Sequence, residues 1–155
     1  MSVCVEMRAP CPVDRRTWLA WIGAMLRAAA SARALPGQEN AVRDGDCPES
    51  GEMDVLLVVS NDGETAGLNA RALGCTGPTN ILSFPGEGRR LGDLFLSADT
   101  LARECVLYGQ DHTRHAVRLL AHGMGHISGY DHGPEMDCFC TMLEEAAFPL
   151  GKGRP

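Results

Sequence analysis

The eleven residues HGMGHISGYDH, 122 to 132, constrain the chain more than any other stretch. On an α-helix, residues four apart sit about 40° apart on one face and roughly 6 Å along the axis, so His122 and His126 can reach one ion. Gly129, three residues on, can take the left-handed conformation that ends a helix. The chain then turns back and His132 can approach as a third ligand. Three imidazoles with no fourth protein ligand describe a catalytic zinc site, in which the open position holds water. Gly123 and Gly125 each cost a helix about 1 kcal/mol relative to alanine. A helix end weakened in this way is shaped for something besides stability.

The spacing H-x-x-x-H-x-x-G-x-x-H also occurs in the metzincin proteases. Hydrolysis of a peptide by such a site needs a carboxylate beside the activated water, and the residue at that position is Gly123. Glycine accepts no proton, so a metallopeptidase is the weakest enzymatic reading. The expected cofactor is one Zn2+ ion on His122, His126 and His132, although nickel, cobalt and copper accept imidazoles as well.

The chain around this motif has ordinary globular proportions. Its 155 residues, 45% hydrophobic and 22% charged, suit one domain over 1–155 with a single core. Seven cysteines include no CxxC pair, and an odd, scattered set reads as reduced thiols. The opening MSVCVEMRAPCPVDRR lacks the form of a signal peptide, and no apolar run reaches the roughly 18 residues of a membrane span. A cytoplasmic protein without a membrane partner is the expectation. The net charge of −6 advertises no nucleic-acid partner, so RNA binding would rest on local basic groups.

Hydrophobic periodicity gives an α+β pattern. SVCVEM alternates like a short strand ended by Pro10 and Pro12. DRRTWLAWIGAMLRAAASARA carries Trp18, Ile22, Met25 and Leu26 at helical spacing behind Asp14 as an N-cap. Residues 36–52 are rich in Gly, Pro and acids and read as a surface loop; 149–155 read as a mobile tail. MDVLLVVS resembles a strand covered on both sides. Asn61 is a candidate cap for a short helix through ETAGLNARAL. NILSF and LFLSA bracket the loop PGEGRR as two more strands, Ser97 or Asp99 starts a helix through Tyr108, and Asp111 can cap the helix that holds the opening motif.

The motif is similar to the signature of the YbeY family of rRNA maturation endoribonucleases, usually H-G-x-L-H-L-x-G-Y-D-H. PTNILSFP at 78–85 resembles a second family segment, LGD at 91–93 a third, and LN at 68–69 falls at the right distance upstream. The resemblance covers roughly residues 53–142. It implies a small mixed sheet surrounded by helices, zinc held by His122, His126 and His132, and metal-dependent cleavage of single-stranded RNA. It also implies a part in maturing the 3′ end of the small-subunit rRNA and in ribosome quality control, with the small subunit or its proteins as partners. An RNA-binding assembly factor with a mainly structural metal is the alternative.

The resemblance bears on two further residues. The family has a histidine at the position of His115, which makes His115 a catalytic candidate as well as a candidate core residue. The family's phosphate-holding arginine falls by spacing on Leu73, and leucine cannot do that work. Arg71 is the candidate replacement, although two residues rotate a helical side chain by about 200°; a solvated surface arginine is the alternative.

Other positions stay open. Ser83 and Phe84 are candidates for a cleft wall, Asp131 for an acceptor that orients a ligand imidazole, and Arg89 with Arg90 for a phosphate contact. Met136 and Met142 suit either a floor beneath the site or plain core packing. His112, near a helix start, reads as a surface or capping residue.

Overall fold

The computed structural model describes residues 2–32, 54–88 and 90–148. The expected loop at 36–52, the tail at 149–155 and Arg89 lie outside these described residues. Among the described residues the elements are β1 (Val3–Met7), α1 (Arg15–Ala32), β2 (Asp54–Ser60), α2 (Asp62–Leu73), β3 (Ile81–Pro85), β4 (Arg90–Ser97), α3 (Ala98–Tyr108), α4 (His112–Ile127) and α5 (Pro134–Ala147).

The strands form one four-stranded sheet in the order β1-β2-β4-β3. β1, β2 and β4 run parallel, and β3 pairs antiparallel with β4. This is the mixed sheet and α+β class that the sequence implied. β2 lies between two parallel neighbours, which accounts for its unbroken apolar run. Its Val55, Leu57, Val58 and Val59 are all almost completely buried.

α1 packs on β1, α4 lies against β3 and β4, and α5 contacts both α1 and α4. The expected stripe of α1 is the one buried: Trp18, Ile22 and Met25 are fully covered and Leu26 nearly so. They join Leu57, Leu94, Leu96, Leu120 and Met124 in one core, each large side chain contributing roughly 1.5–3 kcal/mol.

The caps expected from sequence form. Thr17 N–H donates to Asp14 Oδ1 at 2.7 Å, Glu64 N–H to Asn61 Oδ1 at 2.9 Å, and Arg114 N–H to Asp111 Oδ2 at 2.9 Å. Of the two possible starts for α3, Ser97 is the cap, accepting from Thr100 N–H at 3.2 Å.

Two features differ from the sequence reading. β4 begins at Arg90 rather than at Leu94, because Arg90 and Gly92 pair with β2 through backbone bonds across a register shift, which leaves no hydrophobic alternation to read. α5 is a helix beyond those expected from the sequence. Its signals are Pro134 in the first turn, the acids Glu135 and Asp137 beside it, and Met136, Phe139 and Leu143 on the buried face.

Candidate metal centre

α4 carries the first two histidines out of the core to the protein surface. Its buried face includes Val117, Leu120, Ala121 and Met124, whereas His122 and His126 are half-buried at its edge. Their Nε2 atoms stand 3.2 Å apart.

The chain reverses just beyond them. Gly129 N–H donates to His126 O at 3.0 Å and Tyr130 N–H to Gly125 O at 3.1 Å, the paired bonds of a Schellman helix end. That closure requires a left-handed residue, and Gly129 has φ +94°. Tyr130 then stacks on Phe139 of α5, with centroids 4.4 Å apart and ring planes 19° apart. The turn is thus tied to α4 at its start and to α5 beyond it, and it delivers His132. The ring of His132 lies 5.2 Å from that of His122 and 4.7 Å from that of His126, centroid to centroid.

One nitrogen from each ring falls within 4.8 Å of the other two. Nitrogens held about 2.0–2.1 Å from one tetrahedral ion stand roughly 3.3 Å apart, so the separation between His122 and His126 already suits a shared ion. The donor set consists of imidazoles alone, the chemistry that suits zinc and other late divalent metals. His122, His126 and His132 can hold one metal ion. The His122 imidazole is held below its ordinary pKa, first by burial and then by the neighbouring rings of His126 and His132, with Asp137 acting in the opposite direction. A ring kept neutral is a ready metal ligand.

The helical glycines have a packing cause. A Cβ on Gly123 would come within 2.7 Å of Ile81 Cδ1 and 2.9 Å of Leu94 Cδ2, and one on Gly125 within 3.0 Å of Met136 Cε. α4 is squeezed between the sheet and α5, and glycine permits both approaches. Position 123 is buried against Ile81 and Leu94, with Ser83 Oγ 3.3 Å from where a Cβ would stand, so any larger side chain there would have to displace β3 and β4. Packing and chemistry both exclude the metalloprotease arrangement. Met136, buried beneath Gly125, packs as a core residue; Met142 packs at the margin of the core.

A cleft of about 560 Å³ adjoins the trio. Leu73, Asn80, Ser83 and Asp131 line it together with His122 and His126. Phe84 makes an edge contact with Phe95 at 5.7 Å instead. Arg90 pairs with Asp93 at 2.6 Å. Arg71 lies on the exposed side of the last turn of α2, where a cation suits the helix dipole. Its guanidinium folds back to within 3.3 Å of where a Cβ on Gly67 would stand. Among the described residues, Leu73 rather than Arg71 lines the cleft.

His115 sits two turns before His122 and is 8% exposed. Its Nε2 meets Glu104 Oε2 at 2.7 Å, and its buried Nδ1 has no protein partner. His112, the first residue of α4, buries both ring nitrogens without a protein partner. Sequence reasoning missed Glu104 and Asn80, which join His115 to the cleft wall; the asparagine stood in the quoted PTN segment, whereas nothing in the pattern of α3 singles out its glutamate.

The family model described as Endoribonuclease YbeY matches residues 11–147. A relative from Nitratidesulfovibrio vulgaris, named Endoribonuclease YbeY, is 46% identical over 123 residues, spanning 65% of this chain and 76% of its own. Another of the same name, from Paramagnetospirillum magneticum, is 33% identical and spans 92% of both chains. Among solved structures, the solution structure of TM1509 from Thermotoga maritima superposes with a TM-score of 0.60 at 14% identity, covering 94% of this chain and 88% of that one; this likeness concerns the fold. With the family model matching residues 11–147, and a relative of the same name covering 92% of the chain, the chain belongs to the YbeY endoribonuclease family.

Proposed function

We propose that this chain is a zinc-dependent endoribonuclease that cuts single-stranded RNA. The observation that carries the reading is the convergence of His122, His126 and His132 beside an open cleft. The family name supplies the substrate class. A bound zinc ion supplies Lewis acidity toward a phosphate oxygen and a hydroxide source at neutral pH.

The chain's own residues hold and orient. Asn80 and Ser83 present polar groups along the cleft, and Asp131 stands beside the histidines at its lining. Arg71 is the cation of α2, and its part is long-range attraction of an anionic strand rather than contact with the reacting phosphate. His115, buried, acts on the cleft through Glu104. Among the described residues no helix is long and apolar enough to cross a membrane, and the six described cysteines are free. The place proposed for it, from the likeness to the family, is the cytoplasm, acting on the 3′ end of small-subunit rRNA and in ribosome quality control, with the small subunit or its proteins as partners.

A second reading, an RNA-binding assembly factor whose ion only fixes the fold, draws on Leu73, which places a 60% exposed apolar side chain at the cleft where a phosphate-holding cation would serve. Incubating zinc-loaded protein and its His126→Ala variant with an end-labelled single-stranded RNA separates the readings. Endonucleolytic cleavage by the first and none by the second supports the nuclease. Binding without cleavage supports the assembly factor, and equal cleavage by both points to a contaminating nuclease.

A further inference from the structure

The cleft wall is tied to the interior by one carboxylate. Glu104 of α3 has a side chain only 19% exposed. Its Oε2 accepts from His115 Nε2 at 2.7 Å, and Asn80 Nδ2 donates to its Oε1 at 3.1 Å and Oε2 at 3.4 Å. The other end of the Asn80 amide is also held, because its Oδ1 accepts from Ile81 N–H at 2.7 Å. The backbone is fixed as well: Asn80 O accepts from Ser97 N–H at 2.9 Å.

Asn80 lines the cleft that His122 and His126 also line. An amide nitrogen carries two protons, and one N–H straddling the carboxylate leaves the second available to an acceptor in the cleft. Asparagine side chains donate in this way to sugar and phosphate oxygens. His115 lies behind Glu104 on the same helix as His122, about 10 Å along its axis. Asn80 precedes β3 while Glu104 and His115 stand on α3 and α4, so the arrangement is not a by-product of one helix cap or turn.

We infer that Glu104 is a positioning residue: it fixes the Asn80 amide as a hydrogen-bond donor in the cleft, toward a sugar or phosphate oxygen of the RNA, while His115 holds Glu104 from behind. The inference rests on the RNA reading for its ligand and on the geometry alone for its mechanism.

The test is a double-mutant cycle on the zinc-loaded full chain, with Glu104→Ala, Asn80→Ala and the pair. Steady-state cleavage of a single-stranded RNA oligonucleotide is measured alongside the NMR signals of the Asn80 side-chain amide. Loss of one such hydrogen bond raises KM about fivefold to tenfold in each single variant. Because one residue acts through the other, the double variant is no worse than Asn80→Ala alone, and kcat and zinc content stay within about twofold. Glu104→Gln, which keeps an acceptor for Asn80, restores most of the KM.

In Glu104→Ala the two Asn80 amide protons shift as they lose the carboxylate, although Ile81 N–H still holds Oδ1, a readout that needs no RNA. An Asn80 amide pair unchanged by Glu104→Ala overturns the inference, as does additive loss in the double variant. A wild-type protein that cuts no RNA overturns the RNA reading instead, and the amide signals still decide the positioning role.

Discussion

Two polar clusters sit at helix ends in this protein, and they are balanced in opposite ways. At the start of α2, Asp62 gathers donors. Its Oδ1 accepts from Ser97 Oγ at 2.7 Å and Thr100 Oγ1 at 2.6 Å, and its Oδ2 from Arg103 at 2.7 Å. The carboxyl is drawn down to about 2, chiefly by the Arg103 hydrogen bond and then by Thr100 and Ser97, against an opposing effect of burial. At the end of α4, three like groups gather with no carboxylate among them. The first cluster is complete within the protein and serves the fold by joining α2 to α3. The second gathers basic groups alone, and burial first, then the company of His126 and His132, lowers the His122 pKa. A carboxylate ringed by its donors serves the fold, whereas convergent imidazoles can hold a cation.

The comparison breaks if the turn that delivers His132 proves no more than a helix stop. Gly129 and Gly109 both end helices with positive φ, at +94° and +61°, so alanine at either position costs about 1–2 kcal/mol of backbone strain. Thermal denaturation of Gly129→Ala and Gly109→Ala therefore shows similar losses. Zinc affinity separates them: the Gly129 variant, which disturbs the approach of His132, binds roughly tenfold more weakly in calorimetry, the scale seen when groups that orient metal ligands are altered. Gly109→Ala binds as the wild type does. Equal zinc affinity in the two variants would remove the turn from the account of the site.

A smaller effect sharpens the other side. Asp62→Asn lowers stability by about 1 kcal/mol, a figure kept small because Arg103 is 52% exposed and water screens the pair. Zinc affinity is unchanged. Because the folded pKa lies below the unfolded one, this stabilisation is present above about pH 4 and disappears as pH falls toward 2. Urea denaturation across that interval shows a steeper fall for the wild type than for Asp62→Asn, and parallel curves would detach Asp62 from acid stability.

What could be read in advance follows the same division. Local rules acted at Asp14, Asn61, Ser97 and Asp111, where a short polar side chain caps the helix that follows it. The histidine trio was legible because i, i+4 and a left-handed glycine are local geometry too. The roles of Gly123 and Gly125 were not, since they answer to Ile81, Leu94 and Met136 from distant parts of the chain. Glu104 and Asn80 were hidden for the same reason: 24 residues separate them, and only the folded chain, with α3 against α4 and β4, brings them together. The start of β4 escaped because backbone pairing at Arg90 and Gly92 has no side-chain signature.

The central claim is that His122, His126 and His132 bind a single metal ion. Metal analysis of freshly purified protein, repeated on His126→Ala, tests it most directly. The account predicts close to one zinc per chain in the wild type and next to none in the variant. A wild-type protein that retains no metal, or a variant that retains as much as the wild type, would contradict it.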